Sequence, residues 1–392
     1  MRPLVKPLVA VVALSLATSS AFAAMGAGKT AGKASCGPVV NKDLDRVVNP
    51  NSVTRNLDSC WGDRFAFGGK ANFVAERAES MQSTTKNTFF NVRSAQLLTD
   101  ISVAKDVNVH ITVDATSQLD NNMLVSGDEL SDFSMSEFYM TMQNLAKSPV
   151  FLKAGKSYTP FGSYDSTRPA VYSLNQSFVQ ANNSHIALGF GSKSGFDLTA
   201  FVYEDENNDD WNQYGFRLGF ARSMKGADLT FNASYVDNYS TLNGTSTYAA
   251  TANTNADSDA AVYDIALGAK MRDFSAGIEY FAAQDKLVSG GTDSTAKPKI
   301  VSFGAKYDFL AGGKKGDIHV GYEKASDASA MTSDLYADWS SMPEKHTAVG
   351  VGFELDKGAK LNLDYHKYEP FAANTGDTND QTQFVAELSL DF

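Results

Sequence analysis

The chain has 392 residues, with 34 Lys plus Arg against 45 Asp plus Glu and a formal net charge of −11. No basic tract has the density that phosphate neutralisation needs, which excludes a nucleic-acid partner. Beyond the first turns of the chain there is no uncharged apolar run near the roughly eighteen residues of a spanning helix, so a helical membrane protein is excluded too, and periodicity has to supply the fold.

At the start, Arg2 and Lys6 precede an apolar run from Leu8 to Ala17, and Ala21-Phe22-Ala23 offers a small-x-small cleavage site. Residues 1–23 therefore read as a secretory signal, cleaved near Ala23. Residues 24–61 read as a short periplasmic segment, Gly/Ala-rich from Met25 to Lys33. It is too short to be a folded plug. Cys36 and Cys60 are an even pair in an oxidising compartment and are expected to form a disulfide closing a loop of about 25 residues. A redox or metal role would want a CxxC spacing or nearby histidines, and neither is there.

From Arg64 onward the chain alternates apolar and polar residues with a period of two. Sixteen strands are predicted, roughly at 64–76, 88–104, 107–118, 133–144, 150–157, 184–192, 196–204, 211–223, 227–238, 260–272, 274–285, 298–309, 317–326, 345–356, 359–369 and 381–392. In 107–114, for example, Val107, Val109, Ile111 and Val113 oppose Asn108, His110, Thr112 and Asp114. One face meets something apolar and the other something wet.

The connections alternate strictly between short and long. The seven short ones, such as Lys105-Asp106, Lys225-Gly226, Leu310 to Gly316 and Lys357-Gly358, all carry Lys or Arg. The eight long ones are rich in Thr, Asn, Asp and Ser, and Glu204 to Asp210 is the most acidic. An even strand count and one turn set per side predict an all-β fold: a transmembrane, antiparallel, up-and-down barrel over residues 62–392, with short periplasmic turns and long extracellular loops. The 25 Phe and 16 Tyr suit aromatic girdles at the two interfaces. The terminal Phe392 closes an alternating strand and reads as the membrane-insertion signal for the barrel assembly machinery. Localisation in a bacterial outer membrane follows, with outer-membrane lipid and lipopolysaccharide as surroundings and a homotrimer by analogy with barrels of this size.

Few motifs carry chemistry. Gly28-Lys29-Thr30 lacks the earlier glycine and the preceding strand of a phosphate loop. Of the five histidines, His110, His319, His346 and His366 fall on the predicted lumen face. Polar pore lining is preferred to a cross-strand metal site, and no metal, cofactor or catalytic residue is expected. A hydrolase of the outer-membrane phospholipase kind would want its residues on the lipid side. The alternation sends charges of both signs inward. The pore-lining and constriction candidates are Lys153, Arg168, Arg217, Lys270 and Lys306 with Asp114, Glu137, Glu279, Glu323 and Asp364. The segment Tyr158 to Asn183 is the longest connection and holds only Asp165 and Arg168 as charges. It is expected either to fold into the pore mouth, with Arg168 and Lys153 as lining cations, or to serve as an external cover.

The stretch Phe151-Leu152-Lys153-Ala154-Gly155-Lys156-Ser157-Tyr158-Thr159-Pro160-Phe161-Gly162 resembles the "(A/V)GK-x-Y-x-PFG" segment of the LbtU-type siderophore porins and, more loosely, phosphate-selective porins. That resemblance implies a sixteen-stranded barrel taking up ferric siderophore without a plug. The chain lacks the heptad-patterned N-terminal helix and the PLT-containing run that go with that family. The reading is thus a porin for passive uptake of small hydrophilic solutes, with ferric siderophore as the specific case. The alternatives are a closed barrel acting as a surface adhesin or envelope protein, and an enzyme, which lacks a lipid-facing constellation.

Overall fold

The structure is a computed structural model that describes residues 59–61, 64–79, 86–116, 132–144, 149–163, 174–179, 181–192, 194–205, 210–239, 260–288, 295–328, 343–371 and 380–392. The signal segment, Cys36 and Arg168 lie outside the described residues. Sixteen strands form the wall: β1 (Phe65–Glu79), β2 (Lys86–Ala104), β3 (Val107–Thr116), β4 (Asp132–Met142), β5 (Val150–Tyr158), β6 (Asn182–Gly191), β7 (Phe196–Asp205) and β8 (Asp210–Met224). They continue as β9 (Ala227–Val236), β10 (Val262–Met271), β11 (Phe274–Ala283), β12 (Lys299–Ala311), β13 (Lys314–Ser326), β14 (Pro343–Asp356), β15 (Ala359–Pro370) and β16 (Gln381–Asp391). Every neighbour pair is antiparallel, and β16 pairs with β1 from Gln383↔Ala78 to Asp391↔Lys70, so the sheet has no free edge. The barrel is closed. The end residue continues the closure: Phe392 and Gly69 exchange both backbone hydrogen bonds, at 2.7 and 3.0 Å.

Each short connection reverses the chain through a residue in the left-handed region. These are Asp106, Asn144, Gly195, Gly226, Arg272, the Gly312-Gly313 pair and Gly358. Two-residue hairpins need this conformation because its twist matches that of the flanking strands. One predicted boundary is corrected. The turn read as Leu310 to Gly316 is only Gly312-Gly313, because Ala311 pairs with Lys314 and both lysines sit on β13.

Side chains alternate as the period requires. Leu188, Phe216, Leu267, Ile318, Val349 and Leu363 are among the large apolar residues that point outward and stay exposed, a surface that is stable against hydrocarbon rather than water. Among the described residues no helix is long and apolar enough to cross a membrane, so the strands make any crossing. The inward face is polar and buried. His185 joins the four histidines assigned there by sequence, since all five are buried. The inward row of β6 was hard to read because, after Asn183 and His185, it is Ala187, Gly189 and Gly191. The ring of Phe151 fills the space where Gly189 would otherwise carry a side chain.

Candidate functional site

The described parts of the connection from β5 to β6, residues 159–163 and 174–179, lie inside the lumen. Tyr158 leaves the wall, and Thr159 to Ser163 turn inward. A helix α1 (Leu174–Val179) then returns the chain to β6. Phe161, Leu174, Phe178 and Val179 are fully buried in one apolar cluster with Phe201, Tyr203, Val236, Tyr239, Val262, Phe281 and Ile300 from the barrel's inner face. Phe281 is its centre, with ring centroids 5.1 Å from Phe178, 5.6 Å from Tyr239 and 6.4 Å from Phe161. Burying each large side chain contributes roughly 1.5–3 kcal/mol, which holds the loop to the wall spanned by β7 to β13.

Polar contacts fix its depth. The Gly162 N–H donates to Ser234 Oγ at 2.8 Å, Asn232 Nδ2 donates to Gly162 O at 2.9 Å, and the Ser163 N–H donates to Glu279 Oε1 at 3.0 Å. On β13, Glu323 accepts from the Leu174 N–H at 2.8 Å and from the Asn175 N–H at 3.3 Å. The same carboxylate accepts from Ser302 Oγ and sits 2.8 Å from His346 Nδ1, and His346 Nε2 lies 2.8 Å from His366 Nδ1. Tyr368 stacks on His346 at 4.4 Å and bonds Gln383, which donates to Glu76. A buried polar chain therefore runs from the loop across β13, β14, β15 and β16 to β1.

The rest of the inner wall is built in local groups. His110 lies 2.5 Å from Asp100 and stacks on Tyr139, over whose ring the Lys153 ammonium sits at 4.3 Å. Thr112 donates to Glu137 at 3.0 Å, with Asp114 beside it. Arg217 Nη1 meets Asp197 Oδ1 at 2.6 Å. His319 is held between Asp317 at 2.8 Å and Asp364 at 2.5 Å. Further buried carboxylates are Asp205, Asp264 and Glu387. Among the described residues twelve carboxylates are buried inside the barrel, against the two permanent cations Lys153 and Arg217.

The predicted site residues thus separate. Glu279 and Glu323 are brought together by the loop, while Asp114 with Glu137, Lys153, Arg217 and Asp364 occupy distinct patches of wall. Lys270 and Lys306 sit at the short-turn mouth, where Asp308 lies 3.5 and 3.6 Å from them. Lys270 and Asp308, with Lys315, Lys360 and Glu354, border an open cavity of about 830 Å³. Sequence reading missed the loop's own anchors, Asn232, Ser234, Tyr239 and Phe281.

No family model matches the chain. A curated relative, a UPF0422 protein of Coxiella burnetii (strain RSA 493 / Nine Mile phase I), is 24% identical over 286 residues, covering 67% of this chain and 58% of its own length. The chain therefore spans little more than half of that relative. Among solved structures it is similar to OprB of Pseudomonas putida, with a TM-score of 0.57, 9% identity and coverage of 84% of this chain and 94% of that one. OmpF of Salmonella typhi, solved with daunomycin, gives 0.56 at 12% identity, covering 84% and 97%. The outer-membrane channel DcaP of Acinetobacter baumannii gives 0.54 at 11% identity, again covering 84% and 97%. The fold is that of a porin barrel. At these identities the likeness concerns the fold alone, and the site has to be read from its own residues.

Proposed function

We propose that the chain is an outer-membrane porin that passes small hydrophilic solutes down their gradients and favours cations. The observation that carries this is a lumen narrowed by its own β5–β6 loop and lined by twelve buried carboxylates against two permanent cations. A surplus of fixed negative charge with low-dielectric walls raises the local concentration of positive counter-ions. Catalysis plays no part in this reading. The export signal over residues 1–23, the Cys36–Cys60 disulfide, the Phe392 insertion signal and a homotrimer belong to the same proposal.

The test is conductance of the refolded protein in planar bilayers under a salt gradient. A reversal potential on the cation side is expected, and D114N/E137Q should move it towards zero. Lys153 and Arg168, the latter outside the described residues, are proposed as the lining cations, so R168E or K153E should strengthen the cation preference. Silent bilayers would favour the closed adhesin or envelope reading.

A second reading narrows the solute to ferric siderophore. It is favoured by where the quoted Phe151 to Gly162 segment lies, since the Pro160-Phe161-Gly162 end of it is the root of the loop inside the barrel. A growth defect of the deletion strain under iron limitation, restored by the intact gene, would support it.

A further inference from the structure

On four consecutive strands the outward face carries a lysine at the long-loop end: Lys299 on β12, Lys324 on β13, Lys345 on β14 and Lys367 on β15. Each stands on an apolar row. Tyr322, Val320 and Ile318 run below Lys324, Val349 and Val351 run below Lys345 and Thr347, and Tyr365 and Leu363 run below Lys367. On β8 to β11 the outward tyrosines Tyr214, Tyr235, Tyr263 and Tyr280 are topped instead by Asn212, Asp237, Ala261 and Ala282, with no lysine. Single outward cations stand at this end of β1 (Arg77) and β5 (Lys156), but the described residues place them on four strands in succession at β12 to β15 alone.

Lys324 and Lys345 are direct cross-strand partners. Like charges placed opposite each other are destabilising unless an anion lies between them. The protein supplies some of that anion. Glu369 lies 2.8 Å from Lys345 and 3.1 Å from Lys367, Asp380 lies 2.8 Å from Lys367, and Glu344 is 3.9 Å from Lys324. Four lysines thus face three carboxylates, Lys299 makes no ion pair among the described residues, and the Lys324 contact is at the outer limit of an ion pair.

We propose that this row is a binding site for the phosphate groups of an outer-leaflet saccharolipid, seated with its phosphate at Lys324 and Lys345 and its acyl chains along Val320, Val349 and Leu363. The inference rests on the outer-membrane orientation given above, in which the long-loop end meets the outer leaflet. A phosphate supplies the missing negative charge, and the apolar strip directly beneath fits only a ligand that also carries hydrocarbon. That second requirement distinguishes a lipid from free phosphate.

The experiment uses the refolded, detergent-solubilised protein and measures retention of bisphosphorylated lipid A by native mass spectrometry. Dephosphorylated lipid A, phosphatidylglycerol and inorganic phosphate are the comparison ligands. A lysine near an anionic lipid surface contributes a factor of about five, so K324Q/K345Q/K367Q should weaken lipid A binding by about a hundredfold. K324R/K345R/K367R, which keeps charge and fold, should retain it, and K225Q/K357Q in the short turns should leave it unchanged. Equal binding of the phosphorylated and dephosphorylated lipid overturns the site, as does an unaffected glutamine variant. Inorganic phosphate or phosphatidylglycerol binding as tightly as lipid A also overturns it. Conductance recorded on the same preparation keeps the two readings apart, because silent channels with intact lipid binding would sink only the porin proposal.

Discussion

The carboxylate of Glu323 on β13 accepts the backbone N–H of Leu174 at 2.8 Å, tying the first residue of α1 to a wall strand 149 positions away in sequence. Removing the acid by E323A leaves the Leu174 and Asn175 N–H groups, Ser302 and one edge of His346 short of an acceptor inside the barrel. Each unsatisfied buried group costs about 1–3 kcal/mol. The barrel ladder does not depend on this contact, so the cost falls on the loop. E323A should keep the folded barrel on gels but give larger and noisier single-channel conductance than the parent. Identical traces would show that the loop holds its place without this latch.

Gly162 adopts φ +76°, and a β-carbon there would run into the Val179 side chain. Two separate penalties follow for G162A: about 1–2 kcal/mol for the left-handed conformation and a steric clash with α1. V179A removes the two methyl groups of Val179 but keeps its Cβ, the atom nearest the added carbon, so it relieves only part of the second penalty. G162A should therefore lower the thermal midpoint and increase conductance, and G162A/V179A should recover part of the loss. Full recovery would mean that the backbone conformation is unimportant.

Strand positions were legible because alternation is a local signal, repeated sixteen times and bounded by turn residues that must reach positive φ. Which face was wet followed from the same alternation. His185 escaped because the inward row beyond it is Ala187, Gly189 and Gly191, their space taken by neighbouring rings such as Phe151, so only Asn183 and His185 at one end marked the face as polar. The loop's direction was not legible from the loop itself. Its signal lay elsewhere, in Val236, Val262, Phe281 and Ile300, which are apolar at inward positions where the pattern calls for polar ones. Those exceptions come from four strands and mean something only once the barrel brings them together. The charge of the lumen was read residue by residue, but pairings such as His346 with Glu323 depend on strand register, which hydrophobic pattern sets only modulo two.

Phe392 bonds Gly69 through both backbone groups, and its ring occupies the space beside Gly69 that a side chain would fill. An aromatic laid over a strand glycine covers otherwise exposed backbone. F392A should preserve the hydrogen bonds and lose the ring, lowering stability by about 0.5–1 kcal/mol and slowing refolding into lipid vesicles. G69V should displace the ring and give a loss of similar size, with no further loss in G69V/F392A. A strictly additive double variant would disprove the coupling.

The Arg217–Asp197 pair is buried on β8 and β7, and Gly219 lacks a side chain where the Asp197 carboxylate lies against it. Breaking a buried pair from one side costs more than the pair itself is worth, about 3–5 kcal/mol, because the remaining charge is left desolvated. D197A should therefore destabilise the barrel strongly against urea in detergent. Replacing both partners by D197L/R217M should recover most of that loss. The two variants should also separate stability from selectivity. D197A removes one negative charge from the lumen and moves the reversal potential towards anions, whereas the double variant leaves the net lumen charge unchanged and should restore the parent value. A double variant as unstable as D197A would mean that Gly219 and its neighbours are shaped for the carboxylate itself.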